Sequence, residues 1–535
     1  MSEQLYIQQR NALLHHPLFS WPGLGAWSFY FLVKVGLAST DQIELHLLWN
    51  YALFAFLVIP VPYRIIKIIR QLLAVIAAVI LLYVESHLPP FERLLSQWEL
   101  VSHFSTWYLL ELLGRLIAVE MIAIFLVAWI LYMYLAKVLR MTAISLAALL
   151  TFPFWPQPNM ATAPQFATTG PVPRTIETSS VQPIEQSPDS VLGQFYSAQQ
   201  QIQLTPPSVA ADFDILLINI CSLSWQDIEQ FELTEHAFFR RGDIILNNFY
   251  TGSSYSGPAT LRLLQANCGH RPHSQIFNPD NACLVGSQLE QLGFRSEIRL
   301  NHTGAFDNFL NQIRTIGGLA NASFIEPSQF PESMMGFDQS PIQSDLAVLS
   351  DWLATIEEQP RFTFYNSTSL HDGNRLPGFR GNSSASYRTR LLTLLDDLNQ
   401  LFDDIEASDA KTLVVIVPEH GAGLQGDRMQ LPGMREIPTP ALTHVPVMFK
   451  LFGVEGSDAQ SINASRPTGP LAITSAIYQI IEQKPFSGGR YNPQEVVDRL
   501  PETRAVLEND RVIMIEIDGM FYLQINNGEW REYRG

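Results

Sequence analysis

The sequence predicts two dissimilar parts: an N-terminal bundle of about five transmembrane helices, then a larger α/β domain with a mostly parallel central sheet flanked by helices and a small antiparallel meander at its end. Three observations carry this. After a polar start, the chain up to about residue 155 is dominated by apolar stretches, whereas the remainder reads as an ordinary acidic soluble protein. Between residues 213 and 451, apolar runs of strand length alternate with helical patterns, as expected of strands buried on both faces. Residues 511–534 change to short alternating segments around Asn526-Asn527-Gly528, which predicts the meander with an Asn-Gly turn.

Residues 1–20 are polar and carry no cleavable signal pattern, since no small-residue site follows an apolar core. Five apolar stretches follow, at 21–39, 43–61, 65–84, 116–136 and 141–154, each near the ~20 residues that a bilayer crossing needs. Basic residues set the orientation. Arg10 precedes the first stretch; Arg64, Lys67 and Arg70 lie between the second and third; Lys137 and Arg140 lie between the fourth and fifth. Of the alternate loops, Thr40-Asp41-Gln42 has no base and 85–115 is mixed. The pattern is self-consistent with the N-terminus inside, and five spans then leave everything from about residue 155 outside. Lys34 and Glu120 fall within expected spans, where an ionisable group is costly and marks either function or burial between helices. The loop 88–106, with Pro89, Pro90, Phe91 and Trp98, is a candidate for a helix lying at the membrane interface.

Residues 156–208 are rich in Pro, Ser, Thr and Gln without apolar periodicity, which predicts an extended linker between the membrane part (1–155) and the external domain (209–535). In that domain, strands are expected at 213–220, 243–247, 362–364, 413–417 and 445–451, with helices at 344–356, 387–402 and 471–481. Folds of this kind bind ligands at the carboxyl ends of their strands. The net charge of −17 excludes nucleic acid as a partner, because phosphate backbones require a basic surface. It also excludes docking on anionic lipid through a broad basic face.

Reactive residues gather at expected strand ends. One strand ends in Asn219-Ile220-Cys221, another runs through Pro418 into Glu419-His420-Gly421, and a third leads to Ser369-Leu370-His371. A polar loop after 243–247 ends in Ser256-Gly257-Pro258, where Ser is a favoured helix cap and Pro is tolerated in the first turn. Ser256 therefore stands at a helix mouth, a place that suits a phosphate or a developing oxyanion. Sulfur, nitrogen and oxygen donors together suit Zn²⁺ better than Mg²⁺ or Ca²⁺. Each residue alone has a plainer reading: Ser256 as a cap, Cys221 as a small buried hydrophobe, Glu419-His420 as a surface turn, His371 as a hydrogen-bonded loop residue. Of the three cysteines, Cys268 and Cys283 are predicted to form a disulfide, given an oxidising compartment and their short separation. Such a bridge is worth about 3 kcal/mol by loop entropy. Pairing them leaves Cys221 as the odd thiol and favours a metal role for it.

The order of these motifs resembles the alkaline phosphatase superfamily. Five N-terminal spans before such a domain resemble the membrane phosphoethanolamine transferases and lipoteichoic acid synthases. The similarity is greatest to the phosphoethanolamine transferases that form the G subunit of bacterial cellulose secretion systems. It rests on Asn219-Ile220-Cys221-Ser222, Ser254-Tyr255-Ser256-Gly257-Pro258-Ala259, Ala266-Asn267-Cys268-Gly269, Pro418-Glu419-His420-Gly421 and Thr443-His444-Val445-Pro446. Lipid A-modifying relatives usually carry a Glu as first ligand and a Thr nucleophile, where this chain has Cys221 and Ser256. The resemblance implies one Zn²⁺ per chain, held by Cys221, Glu419, His420 and the Ser256 hydroxyl. It implies that Ser256 takes phosphoethanolamine from phosphatidylethanolamine and passes it to the 6-hydroxyl of glucose units in cellulose. Tyr255, His371, Arg435 and His444 are the matching substrate-contact positions. A multi-pass protein of the bacterial inner membrane, with its catalytic domain in the periplasm and a cellulose synthase complex as partner, is implied with it.

Two other readings stand beside this one. The acceptor is another envelope molecule, such as lipid A or a periplasmic glycan, with phosphoethanolamine or glycerophosphate as the group moved. Alternatively the chain is a non-catalytic membrane subunit of a polysaccharide synthase. A sulfatase is disfavoured, because Ser256-Gly257-Pro258 continues into Ala259-Thr260-Leu261, with Arg262 too late for that motif.

Overall fold

The structure is a computed structural model that describes residues 23–40, 42–86, 106–116, 119–154, 187–209, 212–355, 359–454 and 461–535. The chain divides into two compact units, Met1–Pro90 with Leu116–Ile184, and Phe91–Arg115 with Glu185–Gly535.

The first unit contains α1 (Trp27–Ser39), α2 (Leu47–Val58) and α3 (Arg64–Glu85); α4 (Thr106–Leu116) lies almost wholly in the second unit, and α5 (Val119–Leu135) and α6 (Met141–Thr151) return to the first. Each expected span thus holds a helix, but among the described residues only α3, with 22 residues, is long and apolar enough to cross a bilayer. Of the five expected spans, this supports one at full length. At 1.5 Å per residue a helix of 12 residues rises only about 18 Å, and Pro60 and Pro62 stop α2 from continuing. Much of α3 and α5 is nevertheless exposed hydrocarbon, including Ile65, Leu72, Ile76, Val79, Ile124, Val127 and Ile130. Lys34 is buried between helices, where its Nζ donates to Asn50 Oδ1 at 2.7 Å and pairs with the Glu85 carboxylate. The partner of Lys34 is therefore Glu85; the side chain of Glu120 lies outside the described residues, as does the expected interfacial loop up to residue 105.

The second unit contains α7 (Pro188–Gln199), α8 (Ser256–Leu264), α9 (Asp345–Ala354), α10 (Ser383–Ala407) and α11 (Pro470–Glu482). Its strands are β1 (Asp214–Ile220), β2 (Ile244–Tyr250), β3 (Arg295–Leu300), β4 (Ser323–Ile325), β5 (Glu332–Met335), β6 (Pro341–Gln343), β7 (Arg361–Ser367), β8 (Thr412–Pro418), β9 (His444–Phe452), β10 (Ile462–Ala464), β11 (Val506–Asn509), β12 (Val512–Ile517), β13 (Met520–Ile525) and β14 (Arg531–Glu532). The central sheet has the order β10-β2-β9-β8-β1-β7-β3-β4 and is parallel except for β9. Period-two alternation divides β1 between two cores: Ile215 and Leu217 face one layer, while Leu216, Ile218 and Ile220 face the layer of α9 and α10. Fully buried strands of this kind are the expected α/β architecture.

The meander is present as β11-β12-β13-β14. Its β12–β13 turn is Asp518-Gly519, both at positive φ, and the turn after β13 places Asn526 and Asn527, rather than Gly528, in the left-handed region. The linker expected over 156–208 is corrected where it is described. Ser187 accepts from Ser190 N, Pro188 occupies the first turn, and Val191, Leu192 and Phe195 of the resulting α7 pack on Val506 and Ile515 of the meander. Residues 155–186 lie outside the described residues.

Cys268 and Cys283 form the expected disulfide just beyond α8. Nearby, α8 is tied to the meander by a buried cluster in which Glu508 pairs with Arg262 at 3.6 Å and with His270 at 2.9 Å. Burial alone would raise the Glu508 carboxyl, but Arg262, His270 and the His273 N–H together hold it at about 2. Burial, and then Arg262, lower His270 to about 4. An unfolded His titrates near ~6.5, so this depressed value contributes stability that is fully present above that pH and lost as pH falls from there toward 4. The thermal midpoint is accordingly expected to drop between pH 7 and pH 4, and His270→Gln should flatten that slope. An unchanged slope in the variant would remove His270 from the acid-sensitive groups.

Candidate active site at the carboxyl edge of the sheet

Strands β8, β1 and β7 are adjacent and parallel, so their carboxyl ends coincide. That edge is pinned by Cys221 N donating to Ser367 O and Glu419 N donating to Ile220 O, each at 2.9 Å. Cys221 and Glu419-His420 are thereby delivered to one place. Their ligand atoms all lie within 4.8 Å of one another, and all three residues are buried.

Ser256 arrives from β2 through the loop 251–255, crossing over the amino end of the antiparallel β9. It is the first residue of α8 and Tyr255 is the cap residue, so the reading of Ser256 as the helix cap is corrected by one position. Its hydroxyl is consequently free of capping and lies 3.2 Å from His420 Nε2 and 3.5 Å from Cys221 Sγ. His420 Nδ1 is 2.8 Å from the Gly421 carbonyl. A carbonyl only accepts, so Nδ1 carries the proton and Nε2 presents a lone pair to the cluster.

Burial, followed by the Glu419 charge, pushes the Cys221 thiol up to about 12. Burial likewise raises the Glu419 carboxyl, and burial with the Arg435 guanidinium lowers His420 well below the usual imidazole range. Burial is the leading cause in all three, and it drives each group toward its neutral form. Glu419 Oε2 is buried without a hydrogen-bond partner among the described residues. A dry thiol, carboxylate and imidazole lone pair at this spacing, with one carboxylate oxygen orphaned, fit a divalent cation that takes sulfur and nitrogen.

The remaining expected positions divide. Arg435 joins the cluster, with Nη1 at 3.4 Å from His420 Nε2 and a buried Nε that has no hydrogen-bond partner among the described residues. His371 stacks on Phe337 and has Nδ1 at 2.7 Å from the Asp372 carbonyl, which again leaves Nε2 as an acceptor. Burial and then Arg435 hold it neutral, down to about 3. Its loop is fixed by the buried Arg390, which donates to Ser369 O and His371 O, and by α4, where Tyr108 donates to Asp372 and Glu111 accepts from Ser383 at the start of α10. Tyr255 donates to Glu436 Oε2 at 2.7 Å. His444 is placed differently: its Nε2 bonds the Asn247 carbonyl and its ring stacks on Tyr250, away from the cluster contacts.

Sequence reasoning missed Asn366, which donates to Glu419 Oε1 at 2.6 Å and to Asn219 Oδ1 at 3.0 Å. The signal was a single Asn near the end of each of two apolar strands, and the two prove to be register partners. It also missed Asp227, whose carboxylate accepts from Ser224 N and Ala422 N and holds the Glu419-His420 loop against β1's exit.

Fold and site together define an α/β protein whose half-buried serine hydroxyl faces a buried Cys-Glu-His cluster fit for a metal ion. The sequence matches the C-terminal domain of cellulose biosynthesis protein BcsG over residues 174–530 and the N-terminal domain of that protein over residues 27–154. The chain belongs to the BcsG family. It is 34% identical to the cellulose biosynthesis protein BcsG of Salmonella typhimurium and 35% identical to that of Escherichia coli, in each case over 96% of this chain and 97% of the relative. Among solved structures, a protein in the alkaline phosphatase superfamily from Vibrio parahaemolyticus is 12% identical, with a TM-score of 0.48 over 64% of this chain and 86% of that one.

Proposed function

We propose that this chain is a zinc-dependent transferase that moves phosphoethanolamine from phosphatidylethanolamine to the 6-hydroxyl of glucose units in secreted cellulose. The observation that carries the reading is the Ser256 hydroxyl set 3.2 Å from His420 and 3.5 Å from Cys221, in the pocket that buries Glu419. Family membership supports cellulose as the acceptor polymer.

Zn²⁺ held by Cys221, Glu419, His420 and the Ser256 oxygen would supply the Lewis acidity that makes a serine hydroxyl nucleophilic at neutral pH. In the first half-reaction the Ser256 oxygen bonds to phosphorus, the bond from phosphorus to the diacylglycerol oxygen breaks, and diacylglycerol leaves with a proton. In the second, the glucose 6-hydroxyl oxygen bonds to phosphorus and Ser256 is released. Arg435 offers its buried Nε, which has no partner among the described residues, to the phosphoryl oxygens in both steps. His371, whose Nδ1 proton is turned to the Asp372 carbonyl, presents Nε2 as the acceptor for the proton of the incoming hydroxyl. Anchoring in the inner membrane with this domain in the periplasm would hold it beside a lipid donor at high effective concentration.

Solid-state ³¹P and ¹³C NMR of the polysaccharide secreted by cells with and without this chain tests the proposal. Phosphoethanolamine on glucose C6 is expected only when the chain is present. The same substituent in its absence, or none in its presence, would defeat it.

A further inference from the structure

The proposed donor carries an ammonium two methylenes from its phosphate ester oxygen, and the groups described so far give that ammonium no receptor. We infer that the Glu436 carboxylate, oriented by the Tyr255 hydroxyl, binds it and so selects a cationic headgroup; this rests on the transferase reading above.

Two adjacent pairs of residues face one another across the site. Ser256 and Arg435 both reach His420 Nε2, at 3.2 and 3.4 Å, while their immediate neighbours Tyr255 and Glu436 meet at 2.7 Å. The register of these pairs is set by backbone. Ser254 Oγ donates to Arg435 O at 2.6 Å, and Asn509 Nδ2, at the end of β11, donates to Arg435 O at 3.0 Å and Glu436 O at 2.8 Å. Ser253 Oγ donates in turn to Asn509 Oδ1 at 2.9 Å. The nucleophile loop, the 435–436 loop and the meander are thus clamped as one body. A guanidinium that reaches His420 and a carboxylate that reaches the residue before Ser256 are held at consecutive positions.

The charge pattern matches a zwitterion. Arg435 reaches His420 Nε2 on the same side as Ser256, so it faces a phosphate bonded there, and Glu436 is one residue further on, only 8% exposed, beside a half-buried tyrosine. A carboxylate beside a pocket that already holds Glu419 and Cys221 works against an incoming phosphate. A cation carried on the same donor reverses that cost, and a neutral glycerol headgroup does not. The arrangement therefore discriminates by repulsion as well as by attraction.

The test uses the full-length zinc-loaded protein in detergent with two chromogenic diesters, p-nitrophenyl phosphoethanolamine and its uncharged isostere p-nitrophenyl propyl phosphate. The quantity read is the ratio of their kcat/KM values. The unsubstituted protein is expected to favour the ammonium, and E436Q to lower the ratio by roughly 30-fold. E436D, which keeps the charge, should retain most of the preference. Y255F, which leaves the carboxylate but removes its hydrogen bond, should narrow the ratio by about threefold. An undiminished ratio in E436Q would overturn the role of Glu436 while leaving the transferase reading standing. No preference in the unsubstituted protein would reject the ethanolamine donor itself, and Glu436 with it. Should E436Q not fold, an unaltered ratio in Y255F together with equal loss in E436D and in a reversed-charge E436K would likewise overturn the inference.

Discussion

Ser256→Ala is expected to lower phosphoethanolamine transfer by about 10⁴-fold or more, the scale on which loss of a covalent nucleophile acts. The substitution removes one oxygen from the first residue of α8. It takes no capping bond with it, because Tyr255 occupies the cap position and caps without its side chain. The helix, the disulfide beyond it and the Arg262–Glu508 tie are left as they are, so thermal stability should change little. Intact-mass spectrometry after incubation with phosphatidylethanolamine separates the outcomes: a phosphoethanolamine adduct in the unsubstituted protein, and none in the variant. An adduct of the same mass on the variant, or transfer within tenfold of the unsubstituted rate, would displace Ser256 from the nucleophile's place.

Cys221→Ala is expected to release the metal. The thiol is buried, and burial holds it protonated up to about 12 unless a cation stands beside it. A thiolate at this point would therefore require a cation, and a metal held here would draw its sulfur donor from this residue alone, since Cys268 and Cys283 are committed to each other. Loss of an outer partner of a metal ligand typically weakens binding by about 10–100-fold, and loss of a ligand should exceed that. Elemental analysis of the purified protein is expected to find zinc near one per chain, falling well below that in the variant. Zinc retained in Cys221→Ala, or magnesium alone in the unsubstituted protein, would take Cys221 out of the site. Asn366→Ala provides the contrast: it removes the donor to Glu419 Oε1 without removing a ligand, so its effect on zinc should be smaller.

Much of the external domain was legible because its signals are local. The runs that became β1, β7 and β8 are short, apolar and flanked by helical periods, and parallel strands must end on the same edge. Cys221, Glu419-His420 and the His371 loop were therefore expected together before any pairing was known. The disulfide was legible too, because three cysteines in an external domain leave few choices. The membrane part was less so. Hydropathy reports how apolar a window is but not where its hydrogen bonds stop, and α2 stops at Val58, short of the 61 at which the apolar stretch ends. The composition of 156–208 likewise hid α7, whose apolar face is short and has meaning only against the meander.

The sequence by itself determined the chemistry available at the site: one free thiol, one acid–imidazole pair after a strand, one serine at a helix start, and an acidic chain unsuited to nucleic acid. Tertiary structure alone decided which of these groups meet and which face they turn to one another. The order β10-β2-β9-β8-β1-β7-β3-β4 places the Ser256 loop across the amino end of β9, onto His420. It sets Glu436 on Tyr255, Asn366 on Glu419 and Glu111 on the start of α10, pairings separated by 181, 53 and 272 residues. No local period encodes contacts at such distances. They follow from strand order and from the requirement that buried polar groups find partners once the sheet has closed around them.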